Sequence, residues 1–110
     1  MEVTEPGILT TPKPTWYNNY YFRSKLEAKW AVFFDLMKIR WEYEPEAFIC
    51  ADGSQYTPDF YLPHVFLRDE KRGLYLEIKP TSFEDNESYI SRISSSLKER
   101  QLVLLVGDPV

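Results

Sequence analysis

Apolar and polar residues alternate most regularly between Leu74 and Lys79. A leucine or isoleucine stands at every second position, and Glu77 and Lys79 lie in the alternate set. Because successive side chains of a strand point to opposite faces, this pattern predicts a strand with one apolar face and one face that carries a carboxylate and an ammonium. Such a charged pair is costly to bury without partners. The strand is therefore the first candidate position for a functional site.

The pattern elsewhere predicts an α/β fold with the element order helix, three strands, helix, strand. Apolar residues at three- and four-residue steps predict the first helix, and Ser24 is a suitable N-cap with Glu27 three residues later. Proline cannot donate to a sheet, so Pro80 should end the third strand, with Thr81 or Ser82 capping the second helix. The predicted elements are a helix from Arg23 to Ile39, strands over Trp41–Glu44, Gln55–Leu62 and Leu74–Lys79, a helix after Pro80, a central strand over Gln101–Val106, and Ala47–Ile49 as a candidate continuation of the first strand.

Residues 1–21 are predicted to form an extended, aromatic-rich arm, and residues 22–110 a single domain. The arm has three prolines and little periodicity before the aromatic stretch from Trp16 to Phe22. Two interpretations of these rings stay open. They strap the arm onto the core, or they stack on the bases of a nucleic acid.

The composition excludes several classes of protein. A chain of 110 residues with 44% hydrophobic residues folds as one globular domain rather than staying disordered. Its net charge of −4 argues against nucleic-acid binding by bulk charge alone. No apolar run approaches the roughly 20 residues that span a bilayer, so we expect no membrane association. A single cysteine, Cys50, rules out an internal disulfide and favours a cytoplasmic setting.

Asp59 is the candidate partner of the charged strand, because it follows Pro58 on the predicted strand before it. If the two strands pair as a hairpin, residues on them lie about 5 Å apart, and Asp59 and Glu77 can share one cation. Carboxylate oxygens favour Mg²⁺ or Mn²⁺, with the backbone carbonyl of Ile78 and waters as further ligands. Such a metal would bind a scissile phosphate and activate a water, while Lys79 orients that water and stabilises negative charge on the phosphoryl oxygens.

Glu27 and the basic side chains each have two open interpretations. Glu27 either caps the helix or pairs with Arg23 at the margin of the apolar stripe, or it directs its carboxylate toward the cleft that contains Asp59. Arg23, Lys25, Lys29 and Arg92 either contact the phosphates of a nucleic acid or form solvated helix faces.

Together these residues resemble the PD-(D/E)XK nucleases, which have the restriction-endonuclease-like fold. The resemblance rests on Pro58-Asp59, on Glu77-Ile78-Lys79 and on Glu27 within Phe22–Trp30, and it covers roughly residues 20–107. The stretch Trp41–Glu46 is also similar to small phage and bacterial members. By this resemblance the core is a mixed four-stranded sheet flanked by helices. Asp59 and Glu77 are the metal ligands, Lys79 is the catalytic lysine, and Glu27 supports the metal site.

The resulting expectation is a Mg²⁺-dependent endonuclease that hydrolyses DNA phosphodiester bonds, with Mn²⁺ as a substitute metal and RNA not excluded as substrate. The alternatives are a non-catalytic nucleic-acid-binding or assembly module, and a subunit of a recombination or transposition complex that is active only with its partners. A homodimer would place two sites on the two strands of a duplex. Because related nucleases often have a further helix after the last strand, the sequence leaves open whether this chain is a fragment.

Overall fold

The computed structural model describes residues 14–67, 72–83, 87–97 and 100–109. In chain order its elements are β1 (Thr15–Tyr17), β2 (Tyr20–Phe22), α1 (Lys25–Leu36), β3 (Glu42–Tyr43), β4 (Phe48–Ile49), β5 (Gln55–Tyr56), β6 (Phe60–Leu62), β7 (Leu74–Lys79), α2 (Glu87–Leu97) and β8 (Gln101–Val106). Within these residues, β3, β6, β7 and β8 form a four-stranded mixed sheet in that spatial order, and β1–β2 and β4–β5 form separate two-stranded sheets. The expected α/β fold with a mixed four-stranded sheet and two helices is thus confirmed.

β7 lies inside the sheet and has the predicted bounds. It pairs antiparallel with β6, with Tyr61 opposite Tyr75, and parallel with β8, which also has the predicted bounds. The prediction that Gln101–Val106 is a central strand is wrong, because β8 is at the edge of the sheet as described. The continuous apolar run instead reflects partial burial of both faces of β8.

The predicted strand Gln55–Leu62 is two strands in two different sheets. β5 pairs with β4, whereas β6 pairs with β3 and β7. Pro58 lies in the break between them, where its missing N–H removes one ladder hydrogen bond. Phe48–Ile49 likewise does not continue β3, because Glu44 has a left-handed φ of 46° and turns the chain away.

Helix α1 is shorter than the predicted range from Arg23 to Ile39. The oxygen of Ser24 accepts a hydrogen bond from the N–H of Glu27 (3.1 Å), which confirms Ser24 as the N-cap. At the other end Lys38 has a left-handed φ of 58°, and the N–H of Ile39 donates to the carbonyl of Phe34 (2.8 Å). This arrangement satisfies carbonyls of the last turn and ends the helix.

Helix α2 begins at Glu87 in the described residues. Residues 84–86 lie outside them, and Thr81 and Ser82 are part of a turn in which the N–H of Phe83 donates to the carbonyl of Pro80 (2.9 Å). Neither helix in the described part of the chain has the length and apolar character needed to cross a bilayer.

The core has two parts, which lie on opposite faces of β7. Leu74, Leu76 and Ile78 pack in the part that α1 contributes to, and Tyr75 packs in the part that α2 contributes to. The buried members of the first part are Phe22, Ala28, Ala31, Phe34, Phe60, Leu62, Leu74, Leu76 and Ile78. Those of the second are Cys50, Tyr56, Tyr75, Ile93 and Leu97. Both helices therefore pack onto the strand that carries Glu77 and Lys79.

The aromatic end of the predicted arm is the β1–β2 hairpin, and residues 1–13 lie outside the described residues. Its tight turn uses Asn18 and Asn19, both with positive φ, as hairpin turns of this length require. Phe22 is completely buried and Tyr17 packs against the core, whereas Trp16, Tyr20 and Tyr21 are exposed. The hairpin is therefore anchored by two aromatic residues and presents three others to solvent.

Candidate active site

Asp59 lies at the start of β6 and reaches the end of β7 with its side chain. Its backbone N–H donates to the carbonyl of Leu76 (3.0 Å), and its Oδ2 accepts a hydrogen bond from the backbone N–H of Ile78 (2.7 Å). The predicted hairpin pairing is thus confirmed. Asp59, at 3% exposure, lies beside the residue between Glu77 and Lys79.

Glu77 is buried and fixed by two tyrosines from different elements. The hydroxyl of Tyr56 on β5 donates to Oε1 (2.5 Å), and the hydroxyl of Tyr89 on α2 donates to Oε2 (2.7 Å). Burial and the nearby Glu77 charge raise the pKa of Tyr56 and raise that of Tyr89 to about 12, so both phenols remain protonated donors at neutral pH. The Glu77 carboxylate therefore has a defined orientation.

Lys79 remains a cation in this environment. Burial lowers its pKa, but hydrogen bonding with Tyr89 and the charge of Glu77 outweigh that effect, and the net pKa is raised. Its Nζ is 3.2 Å from Oε2 of Glu77 and 4.9 Å from the ring centre of Tyr89. An ammonium with a raised pKa suits electrostatic stabilisation of a developing negative charge and not the abstraction of a proton.

Gly107 fixes the backbone that carries Lys79. Its N–H donates to the carbonyl of Lys79 (2.8 Å), and its own carbonyl accepts from Nε1 of Trp30 on α1 (2.9 Å). The residue has a φ of 87°, and a Cβ atom here would lie 2.9 Å from Cγ2 of Thr81. The left-handed backbone conformation therefore favours glycine, and a larger residue would also have to displace the side chain of Thr81.

Glu27 belongs to the same charged cluster as Asp59 through Arg23. Nη2 of Arg23 lies 3.0 Å from Oδ1 of Asp59 and 3.9 Å from Oε2 of Glu27, and its Nε lies 2.6 Å from Oε2 of Glu44. The other oxygen of Glu27 accepts from the hydroxyl of Tyr43 (2.5 Å). The two interpretations of Glu27 thus coexist, because this buried residue pairs with Arg23 at the helix start and faces the cluster of Asp59.

The electrostatics of the site raise the pKa of Asp59 to about 8. Burial is the largest cause, followed by repulsion from Glu77 and Glu27; the hydrogen bond from Ile78 and the charge of Arg23 lower it by less. Three carboxylates with low exposure share this region with two cations. With all three carboxylates ionised, the metal-free site would hold more negative charge than its two cations offset, and the raised pKa of Asp59 relieves this excess.

The metal-free protein is expected to lose stability as the pH rises from about 4 to about 8. The folded pKa of Asp59 is raised above its value in the unfolded chain, so between the two values the folded state binds more protons and each increase in pH favours unfolding. The midpoint of thermal unfolding in EDTA should be several degrees higher at pH 5 than at pH 8.5. The Asp59→Asn variant cannot titrate there, so an equally steep fall in that variant would contradict the assignment to Asp59.

The donor set fits a divalent cation that prefers oxygen ligands. The carboxylate of Asp59 contacts β7 at Ile78, and that of Glu77 projects from β7 itself, close enough for its charge to raise the pKa of Asp59. The N–H and C=O of one strand residue point to the same neighbour, so the carbonyl of Ile78 faces the side on which its N–H meets Asp59. In the described part of the chain, no three His, Cys, Asp or Glu side chains form a metal-binding group. Mg²⁺ nevertheless needs only one or two carboxylates, since it keeps several waters.

The predicted nucleic-acid contacts are not brought together at one place. Lys25 is exposed at the start of α1, and Lys29 pairs with Asp108 (2.9 Å). Arg92 donates to the hydroxyl of Ser54 (3.2 Å) and lies 5.5 Å from the ring centre of Tyr89. Arg23 therefore contacts the acidic cluster directly and Arg92 lies beside Tyr89, a partner of Glu77, whereas Lys25 and Lys29 are surface charges.

Sequence reasoning missed Tyr43, Tyr56 and Tyr89 as parts of the site. Each lies in a predicted strand or helix, where the pattern of apolar and polar residues gives it no chemical role. The available signal was the hydroxyl itself, because a buried phenol has to find a hydrogen-bond partner and phenylalanine does not. All three bond to a carboxylate of the site.

Comparison of the sequence with protein-family models gives no match, and no curated protein matches it either.

Proposed function

We propose that this protein is a Mg²⁺-dependent nuclease that hydrolyses phosphodiester bonds of DNA. The observation that carries the proposal is the convergence of Asp59, Glu77 and Lys79 at the end of β7. Two buried carboxylates and an adjacent ammonium are an expensive arrangement for a purely structural strand. They match the needs of phosphodiester hydrolysis, in which a cation and a positive side chain face a negatively charged substrate.

Each side chain has a definite part in this reaction. A metal held by Asp59, Glu77 and the carbonyl of Ile78 supplies Lewis-acid activation of the phosphate and of a water. Lys79 presents its ammonium to the phosphoryl oxygens, where negative charge increases. Tyr56 and Tyr89 hold Glu77 in one orientation, as partners of metal ligands commonly do.

The succession of elements supports membership of the PD-(D/E)XK superfamily. With the two small hairpins set aside, the described elements follow each other as α1, β3, β6, β7, α2 and β8. This is the order expected from the resemblance of Pro58-Asp59 and Glu77-Ile78-Lys79 to that superfamily. Glu27 on α1 then supports the site through Arg23.

A route for the substrate strand is provided by α2. Lys79 and Arg92 both lie near the ring of Tyr89, at 4.9 and 5.5 Å from its centre. Beyond Arg92 is a cavity of about 240 Å³, lined by Ala51, Asp52, Ser91, Arg92 and Ser95. A strand carries one phosphate per roughly 3.4 Å of helix axis, so a strand with one phosphate at Lys79 places another near Arg92.

The proposal is tested by metal-dependent cleavage of supercoiled plasmid. Wild-type protein should nick or linearise the plasmid with Mg²⁺ or Mn²⁺ and not in EDTA, and Glu77→Gln should be inactive because it removes an anionic ligand. Glu46→Gln is the matched control, since Glu46 is exposed and outside the cluster. Cleavage by Glu77→Gln at the wild-type rate would refute the proposed site.

A second candidate function is a non-catalytic nucleic-acid-binding or assembly module. It is favoured by the fact that every buried side-chain nitrogen or oxygen in the described residues already has a hydrogen-bond partner. Calorimetric titration with Mn²⁺ separates the two functions. Binding that is lost in Asp59→Asn and Glu77→Gln supports the nuclease, and absence of such binding supports the module.

A further inference from the structure

The guanidinium of Arg23 occupies the cationic position beside Asp59. It contacts carboxylates from three elements of the chain, at 3.0 Å for Asp59, 3.9 Å for Glu27 and 2.6 Å for Glu44. These acidic neighbours and Tyr43 raise the pKa of Arg23 even though burial lowers it. A metal ligand that already has a cation bound must lose or share that cation when a metal arrives.

The guanidinium can move without disturbing the fold. Its side chain is 60% exposed, whereas the Asp59 side chain that it contacts is 4% exposed. The backbone of Arg23 is held separately, because its N–H donates to the hydroxyl of Tyr43 (3.0 Å). The start of α1 is further held by the Ser24 cap. Release of the side chain therefore leaves the helix start in place.

We propose that Arg23 is an exchangeable counter-ion that couples metal binding to substrate binding. In the metal-free protein its single positive charge is shared among Asp59, Glu27 and Glu44. A divalent cation bound by Asp59 displaces the guanidinium, which then pairs with a phosphate of the nucleic acid next to the metal. This inference rests on the proposed metal site and adds a positioning residue for substrate.

The exchange has two measurable consequences of opposite sign. Removing Arg23 removes a competitor, so metal binding becomes tighter. It also removes a phosphate contact that exists only in the metal-bound state. Metal should therefore increase the affinity for nucleic acid less in the variant than in wild type. The two effects are linked, because coupling between two ligands is reciprocal.

The first experiment is calorimetric titration of Mn²⁺ without nucleic acid. Arg23→Met should bind Mn²⁺ about five- to tenfold more tightly than wild type. Arg23→Lys should lie between them, because an ammonium is a compact charge that cannot reach three carboxylates with a planar fork. Arg40→Met is the matched control, since Arg40 is exposed beyond the C-terminal end of α1 and should leave the affinity unchanged.

The second experiment measures the affinity of a short duplex by fluorescence anisotropy, in EDTA and in Ca²⁺. The affinity in Ca²⁺ divided by the affinity in EDTA should be several-fold smaller for Arg23→Met than for wild type. Arg40→Met should change both affinities by the same factor and leave this ratio unaltered. A purely structural role for Arg23 would lower both affinities together and would not tighten Mn²⁺ binding.

The outcomes separate this inference from the proposed function. Unchanged or weaker Mn²⁺ binding by both Arg23 variants, with wild-type binding intact, overturns the exchange and leaves the nuclease proposal standing. Absence of Mn²⁺ binding in wild type and in both variants overturns both. Binding that is detectable only in the Arg23 variants supports the exchange, since it shows that the guanidinium excludes the metal.

Discussion

Replacing Asp59 by asparagine is expected to abolish cleavage, with the rate lowered about a thousandfold or more, while the protein still binds DNA. Asparagine is nearly the same size and its oxygen can still accept the hydrogen bond from Ile78, so the local structure is preserved. What is lost is an anionic metal ligand. The rate of plasmid nicking in Mg²⁺ measures the first effect.

The second expected effect of Asp59→Asn is that DNA binding is retained, and the affinity for DNA in EDTA measures it. Measured above about pH 8, where Asp59 is ionised in the metal-free protein, removing its negative charge near the substrate phosphate should leave this affinity equal or higher. Glu46→Gln is the matched control, because Glu46 is exposed and lies outside both the charged cluster and the cavity beside Arg92. A folded Asp59→Asn protein that cuts normally, or one that no longer binds DNA in EDTA, would contradict the role given to Asp59.

Replacing Lys79 by methionine should lower the rate of cleavage by about a hundred- to a thousandfold, with little change in the affinity for Mn²⁺. Methionine keeps a flexible stem of similar length against Phe83 and Tyr89 and removes the charge. Since the pKa of Lys79 is raised, the wild-type rate should also show no loss from deprotonation of this group between about pH 7 and pH 9.

Single-turnover cleavage measures the rate of Lys79→Met, and calorimetry measures its affinity for Mn²⁺. Lys38→Met is a matched control, because Lys38 is exposed at the C-terminal end of α1. If the Lys79 variant cut at the rate of that control, the ammonium would have no part in the reaction. If it lost Mn²⁺ binding altogether, Lys79 would act through the metal ligand Glu77 and not on the substrate.

The strands that carry the clearest signal could be predicted with their bounds. Leu74–Lys79 alternates over its whole length and stops at a proline, and Gln101–Val106 is an unbroken apolar run that stops at a glycine. The place of Gln101–Val106 at the edge of the sheet could not be predicted from the same pattern. An apolar run reports how much of a strand is buried, whereas the edge position depends on which strands lie beside it.

The error at Gln55–Leu62 has a different physical origin. The alternation of side chains continues through Pro58, so periodicity alone indicates one strand, although the backbone changes sheets there. The break is what allows Tyr56 to reach Glu77 while Asp59 reaches Ile78. A proline within a strand pattern indicates an edge or a bulge, but such a local signal does not specify a change of partner strand.

The approach of Asp59 to the charged strand could be anticipated because it follows from hairpin pairing of adjacent strands. The contacts of Arg23 and Glu27 could not, since they depend on how α1 is oriented against the sheet. One helical pattern allows Glu27 to lie at the edge of the apolar stripe or to face the cleft. In the structure the guanidinium of Arg23 contacts both Glu27 and Asp59, so it connects the helix to the cleft.

The contacts of Gly107 have a consequence for folding kinetics. They join β8 to Lys79 and to Trp30, and the Trp30–Gly107 hydrogen bond spans 77 positions of the chain. Contacts of such long sequence separation form slowly, because the entropy of closing the loop is lost before the contact is gained. The strand end that holds Lys79 is therefore among the last parts of the fold to become rigid. A partly folded chain has the acidic residues without a fixed lysine, so the proposed nuclease would acquire activity only as folding finishes.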